Sequence, residues 1–202
     1  MSFHALIIAG GQGRRLGGVR KADIRIGGKR LIERVAERME GAAHTRLVAT
    51  GPQQDEWPLP QGWAQVNDLA NSGGGPLAGL VAGVAALREQ GMREGIMVTA
   101  AVDTPFLPHD YASRLVEALG EAPVAFGAWG QSFYPPNAAW RLEAIAQLPE
   151  KIAEAESLRM LQTMLGGRRV AWDDYTDNPF DNINTPEDLE AMEQRARRLA
   201  GL

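Results

Sequence analysis

The segment that most constrains the fold is the short apolar run His4-Ala-Leu-Ile-Ile-Ala9, which leads without a break into a glycine-rich loop from Ala9 to Gly18. A run this short, bounded by glycines and apolar on both alternating faces, fits a strand buried on both sides of a parallel sheet. A buried parallel strand needs helices above and below it and crossover connections to its neighbours. The rest of the chain supplies both. Leu31 to Met39 sets Leu31, Ile32, Val35 and Met39 on one helical face and Glu33, Arg34, Glu37 and Arg38 on the other. Arg46 to Thr50 reads as a second strand, closed by Gly51-Pro52, and Trp63 to Asn67 as a short third. Pro76 sits where a first helical turn tolerates proline, and Leu77, Leu80, Val81, Val84 and Leu87 continue at helical spacing. Ile96 to Val102 is a continuous apolar run suited to a central strand. Pro108 to Leu119 reads as helix, Val124 to Trp129 as strand, and Leu158 to Leu165 and Pro186 to Leu199 as the last helices.

This alternation predicts an α/β fold of three layers: a mostly parallel sheet with helices on both faces, in a single domain over residues 1–202. No internal repeat, low-complexity tract or linker interrupts it, although Gln53 to Gly62 reads as an irregular connection. Cysteine is absent, which excludes disulfides, thiolate zinc sites and cysteine nucleophiles. A formal net charge of −4 argues against a broad nucleic-acid surface. The first apolar run is too short for a signal segment and none approaches a membrane span, so a cytoplasmic protein without a membrane partner is expected.

In open α/β sheets ligands sit beyond the carboxyl ends of the strands, and three unusual loops fall there. The first is Ala9-Gly-Gly-Gln-Gly-Arg-Arg-Leu-Gly-Gly18, followed by Lys21. Glycines let successive N–H groups converge on an anion, and Arg14, Arg15 and Lys21 add positive charge. A Walker A loop is excluded because no Gly-Lys-Ser/Thr occurs, and the G-x-G-x-x-G dinucleotide pattern is missing too. The second loop, Asn67 to Gly79, joins the carboxylate of Asp68 to a glycine run and a helix start, although glycines of this kind also serve plain turns. The third, Asp103-Thr-Pro-Phe-Leu-Pro108, follows the central apolar strand. An Asp there can hold Mg²⁺ together with phosphate oxygens, or simply cap a turn. Taken together the three loops favour phosphate chemistry.

The ordered set of motifs resembles the molybdenum cofactor guanylyltransferase family and, more broadly, the sugar-nucleotidyltransferase fold with its Rossmann-like architecture. The resemblance is carried by Ile8-Ala-Gly-Gly-Gln-Gly-Arg-Arg-Leu-Gly-Gly18 with Lys21, by Ile26-Gly-Gly-Lys-Arg-Leu-Ile32, by Asp68, by Gly75-Pro-Leu-Ala-Gly79, by Asp103-Thr-Pro105 and by Asn182-Ile-Asn-Thr-Pro-Glu-Asp-Leu189. It implies backbone contacts to GTP from Ile8, Ala9, Gly10 and Gly11, and phosphate contacts from Lys21. Asp68 would help hold the nucleotide, Asp103 would bind nucleotide and Mg²⁺, and Pro76, Leu77 and Gly79 would wall the pocket. Asn182 and Asn184 would lie near the pterin or the metal. The implied reaction is attack by the terminal phosphate of molybdopterin on the α-phosphorus of GTP, with Arg15, Lys21 and Asp103 as the catalytic set, in a monomer or weak oligomer.

Three positions depart from the family pattern: Arg20 where Asp usually precedes the lysine, Ala49 in place of a common Asn, and Tyr134-Pro135-Pro136 in place of His-Pro-Thr. Cytidylyl transfer to the same cofactor, or a binding protein without turnover, are the alternatives; a dinucleotide-dependent oxidoreductase is disfavoured by the loop pattern. Elsewhere, His4, His44 and His109 lack metal-ligand spacing, and Asp173, Asp174 and Asp177 read as a solvated loop. Arg195, Arg197 and Arg198 suit the C-terminal dipole of the last helix. Trp129, Phe133 and Tyr134 could line a pterin groove or pack beneath a loop.

Overall fold

The computed structural model describes residues 2–13, 16–41, 43–52, 56–70, 72, 74–148 and 156–201. Its centre is a seven-stranded sheet formed by β1 (Phe3–Ile8), β6 (Ala43–Ala49), β7 (Ala64–Val66), β8 (Ile96–Ala101), β9 (Val124–Trp129), β10 (Ser132–Arg141) and β11 (Arg168–Ala171). The strand order is β11-β9-β10-β8-β1-β6-β7. β1 pairs in parallel with both β6 and β8, so the first apolar run occupies the middle of the sheet. Two small antiparallel ribbons, β2 (Gln12–Gly13) with β3 (Val19–Arg20) and β4 (Arg25–Ile26) with β5 (Lys29–Arg30), lie outside it.

Strand alternation sorts the core into two halves. Ala5, Ile7 and Ala9 face helices α1 (Leu31–Met39), α3 (Tyr111–Leu119) and α6 (Pro186–Leu199). Leu6 and Ile8 face α2 (Gly75–Glu89), α4 (Leu142–Ile145) and α5 (Leu158–Met164). The α/β architecture with three layers expected from the alternating pattern is therefore the one observed. The helix α1 begins and ends where its apolar spacing places it. Its first turn is held by Glu33, which accepts from the Arg30 N–H at 2.9 Å and pairs with the Arg30 side chain. Helix α2 is apolar nearly all round and is buried accordingly from Leu77 to Val84.

The sequence pattern does not reveal β10. This strand runs antiparallel between β8 and β9 and carries a bulge between Tyr134 and Ala138. Proline cannot donate to a ladder, so Pro135 and Pro136 look like a strand break. The structure places them at the bulge, where pairing is interrupted anyway. Two side chains make good the missing bonds. Asn137, buried, accepts from the Ala101 N–H through Oδ1 at 3.1 Å. Thr99 donates its hydroxyl to the Pro136 carbonyl at 2.7 Å and accepts from Trp140 Nε1 at 3.1 Å. The Thr99 carbonyl in turn accepts from the Tyr111 hydroxyl at 2.5 Å. Burial pushes that phenol well above its ordinary titration range. The short β11 also escapes the pattern, since it opens with Arg168 and Arg169, both exposed.

Asn137→Ala should leave the partly buried Ala101 N–H without its acceptor and lower unfolding stability by about 1–3 kcal/mol. Urea denaturation followed by far-UV circular dichroism measures that loss.

Candidate active site

The carboxyl ends of β1, β6 and β8 open onto one cavity of about 420 Å³. Its first wall is almost free of side chains. Gly10 and Gly11 leave β1, and Gly51 and Pro52 leave β6. A Cβ on Gly10 would stand 3.0 Å from both Cα and N of Gly51, whose φ of 82° is itself in the left-handed region. The two loops can approach this closely only as glycines. Gly74, Gly75 and Pro76 complete the wall at the first turn of α2, where free N–H groups and the helix dipole favour an anion. Deeper in, a Cβ on Gly79 would lie 3.2 Å from Ala49 Cβ and from Ile8 Cγ2, so the start of α2 packs directly on β6 and β1.

The polar centre is Lys21. It follows β3 in a short 3₁₀ turn, and its ammonium donates to Asp103 Oδ2 at 2.7 Å and to Asn184 Oδ1 at 2.8 Å. Its side chain is only 12% exposed and that of Asp103 18%, so their charges meet in a partly desolvated setting. Asp103 comes from the turn after β8, where Thr104 donates to the Ala101 carbonyl at 2.7 Å. Asn184 is fixed by the cap of α6: Asp188 Oδ2 accepts from the N–H groups of Asn184 at 2.8 Å and Thr185 at 2.9 Å, while Thr185 accepts from Asp188 at 3.2 Å. Those bonds hold the Asp188 carboxyl below its ordinary range. Ile183 is buried in the core between the exposed Asn182 and Asn184, and Asn182 faces the cavity.

Asp68 lines the opposite rim. Its N–H donates to the Gly51 carbonyl at 3.0 Å, and burial pushes its carboxyl above the usual value. The remaining wall is aromatic. Phe133, Tyr134 and Phe180 line it together with Pro135 and Pro136. Tyr134 stacks on Phe180 with ring centroids 5.0 Å apart, and its hydroxyl accepts from Asn178 Nδ2 at 2.7 Å.

Of the residues singled out by sequence, Ile8, Gly10, Gly11, Lys21, Asp68, Pro76, Gly79, Asp103 and Asn182 all line this cavity. Asn184 joins through Lys21. Ala9 and Leu77 are buried in the core instead, and the Ala9 N–H already donates to Ala49 at 2.8 Å. Arg14 and Arg15 lie outside the described residues. Gly51, Phe180, Asn137 and Thr104 also line the cavity and were not picked out from sequence. Gly51-Pro52 reads only as the end of a strand, and Asn137 carries no local signal at all. Arg20, the unusual neighbour of Lys21, stacks over Trp57 at 5.1 Å and pairs with Asp23 at 3.2 Å; it is not part of the cavity lining. Trp129 likewise faces elsewhere, donating to the Tyr175 carbonyl at 3.1 Å.

Residues 5–169 match the family described as the MobA-like NTP transferase domain. The chain belongs to this family. Relatives include a protein from Rhodobacter capsulatus named molybdenum cofactor guanylyltransferase, 35% identical, with 99% of this chain and 100% of the relative covered. One of the same name from Acidiphilium cryptum is 34% identical over 95% of this chain and 94% of its own length. Among solved structures, the molybdopterin-guanine dinucleotide biosynthesis protein A of Archaeoglobus fulgidus superposes with a TM-score of 0.72 at 24% identity, covering 97% of this chain and all of that one. The 2-C-methyl-D-erythritol 4-phosphate cytidylyltransferase of Thermus thermophilus gives 0.67 at 23% identity, over 98% of this chain and 100% of that one. These likenesses place the chain in the nucleotidyltransferase fold. As a family member it is an NTP transferase, and a glycine wall with a helix N-terminus, facing a lysine–aspartate pair, suits such a transfer. Among the described residues no helix is long and apolar enough to cross a membrane.

Two outcomes follow from the glycine wall and the rim. Gly10→Ala forces a backbone shift against Gly51 and should cost about 1–3 kcal/mol, visible as a lower denaturation midpoint. For Asp68, a native carboxyl raised above its unfolded value near 3.8 means that stability present below that value is lost as pH rises through the native one. Asp68→Asn should remove that loss, so the variant's advantage over the parent, read by urea titration, should grow from acid to neutral pH.

Proposed function

We propose that this enzyme transfers GMP from GTP to the terminal phosphate of molybdopterin, releasing pyrophosphate and forming molybdopterin guanine dinucleotide. The observation that carries this reading is the meeting of Lys21, Asp103 and Asn184 at the mouth of the glycine-walled cavity, in a chain whose full-length relatives are named for guanylyl transfer to this cofactor. The protein would act in the cytoplasm as one domain spanning residues 1–202, as a monomer or weak oligomer.

The triphosphate lies against the Gly10–Gly11 turn and the first turn of α2, where backbone N–H groups receive its oxygens. Lys21 exchanges its bond to Asp103 for the phosphates and stabilises negative charge on the transferring group and the departing pyrophosphate. Arg15, in the same loop by sequence, adds to that stabilisation. Asp68 supports the nucleotide from the rim, and the Phe133–Tyr134–Phe180 wall offers flat apolar surface to the pterin. The new bond joins the acceptor phosphate oxygen to the α-phosphorus, and the bond from that phosphorus to the α,β-bridging oxygen breaks. The protein's contribution is orientation and electrostatics, with no covalent intermediate.

The donor set suits a hard divalent cation. Among the described residues no group of three or more His, Cys, Asp or Glu side chains gathers as a metal cage. A single carboxylate with substrate phosphates and waters is an arrangement Mg²⁺ commonly uses. Asp103 would hold the ion, with Asn182 beside it. When bound, Mg²⁺ supplies Lewis-acid stabilisation of the phosphate oxygens.

Pyrophosphate release with GTP, Mg²⁺ and molybdenum-loaded molybdopterin tests the assignment directly. Asp103→Ala and Lys21→Met should each lower turnover by about 10²–10³-fold; unimpaired turnover in Asp103→Ala would defeat the metal assignment. In thermal-shift titrations with Mg²⁺, GTP should raise the melting temperature more than CTP, UTP or ATP does, and a clear preference for CTP would overturn the guanine assignment.

A further inference from the structure

The basic run at the end of α6 reads in the sequence as a dipole-compensating cluster, and for Arg197 and Arg198, both exposed, that role suffices. Arg195 is different. Its side chain is 11% exposed and its guanidinium is folded back between two loops. One face lies 4.5 Å from the ring centroid of Phe106, three residues after Asp103. Its Nη1 donates to the Asn178 carbonyl at 2.7 Å and lies 3.9 Å from Asp181, while Nε lies 3.8 Å from Asp177. Phe106 is approached from the other cation-bearing helix by Arg34 of α1, at 5.7 Å, whose own fork grips the Ile26 carbonyl at 3.0 and 2.6 Å.

The two loops that Arg195 joins are those that hold Lys21. The segment after β8 brings Asp103, and the segment from Asp177 to Asn184 brings Asn184 and, on the way, Phe180 and Asn182. The second segment is further tied to the aromatic wall, because Asn178 donates to the Tyr134 hydroxyl and accepts from the Phe180 N–H at 3.0 Å. Among the described residues neither segment is part of a sheet, and side chains such as Arg195 bridge them. Their relative spacing at the ammonium therefore depends on side chains, and a planar, stacked, forked cation suits that task better than a point charge.

We propose that Arg195 is a positioning residue: by stacking on Phe106 while holding the Asn178 carbonyl, it sets the separation of Asp103 and Asn184 and so the placement of the Lys21 ammonium. The consequence for turnover rests on the nucleotidyl-transfer reading above; the consequence for Lys21 does not.

The direct test needs no substrate. Acylation of Lys21 by a water-soluble active ester, followed by mass spectrometry, reports how well the ammonium is held, and the exposed Lys29 serves as internal reference. Arg195→Met and Arg195→Lys should both speed labelling at Lys21 by about threefold or more while leaving Lys29 unchanged, and Arg197→Met should change neither. In the pyrophosphate assay Arg195→Met should lower kcat by about tenfold, with the KM for GTP within about twofold, and the Arg195→Met/Asn184→Ala pair should be no slower than the slower single variant. Unchanged Lys21 labelling in a folded Arg195 variant, a rise shared by Lys29, or multiplicative losses in the double variant would each overturn the proposal. If Arg195→Met fails to fold, the labelling of Arg195→Lys decides it alone. Failure of the pyrophosphate assay in the parent protein, with the labelling result intact, would count against GMP transfer and not against the clamp.

Discussion

One ammonium group sets the terms for the rest of the site. Lys21, Asp103 and Asn184 are 82 and 163 residues apart from lysine to each partner, and meet within hydrogen-bond distance. Drawing a charged pair out of water is costly, and the attraction gained seldom exceeds the penalty by much. The pair is therefore a poor candidate for what holds the fold together. The dependence runs the other way: β1 and β8 lie side by side in register, Val102 donates to the Ile8 carbonyl at 3.1 Å, and the segments leaving those strands have nowhere to go but towards each other. A contact of small net worth can be exchanged, and an ammonium that already has a carboxylate partner avoids being stranded in a half-buried cleft until a polyanion competes for it.

The architecture was legible from the sequence wherever an element is both regular and buried in a patterned way. The bounds of α1, β9 and α6 follow from apolar spacing and caps, and β1 from its double-sided burial. What escaped is instructive. Strand β10 occupies the heart of the sheet, yet its sequence contains Tyr134-Pro135-Pro136, which argues against a strand by the ordinary rule that proline breaks a ladder. The rule is sound locally. It was overridden because the Thr99 hydroxyl, from β8, and the Asn137 side chain, within β10 itself, supply a donor and an acceptor at the bulge, a compensation that depends on pairings 37 and 36 residues apart and leaves no local trace. The β2–β3 and β4–β5 ribbons are too short to carry any periodicity.

The site shows the same division. Glycines and carboxylates at strand ends were visible because their composition is out of place in ordinary connections, and five of the candidates of those types, Gly10, Gly11, Asp68, Gly79 and Asp103, do line one cavity. Gly51 was not visible, since its necessity lies in the approach of another glycine, Gly10, from a different loop. Phe180 was hidden for a related reason: an aromatic in a polar, proline-containing stretch carries no information until Tyr134, Trp172 and Tyr111 are found packed around it. Arg195 looked like a surface charge because its helical position says only where its Cα lies. Long side chains reach beyond the element that carries them, and a one-dimensional pattern cannot say how far.

The two walls of the cavity constrain a ligand in unlike ways. The wall built by Gly10, Gly51, Gly74, Gly75 and Gly79 presents backbone, and its geometry allows few alternatives because a Cβ at Gly10 or Gly79 would press on neighbouring chain or side chains. The wall built by Phe133, Tyr134 and Phe180 presents aromatic rings. The departures from the family pattern fall accordingly. Arg20 is turned to Trp57 and Asp23, and Ala49 is a small apolar residue beneath Gly79. Tyr134 takes over a wall position while keeping a hydrogen bond and a stacked partner. On the proposed assignment, a transferase of this design would preserve the phosphate half of its reaction under strict steric limits and vary its acceptor on the opposite side. Under the proposed reading, Tyr134 is a position at which this chain would adjust its fit to the pterin.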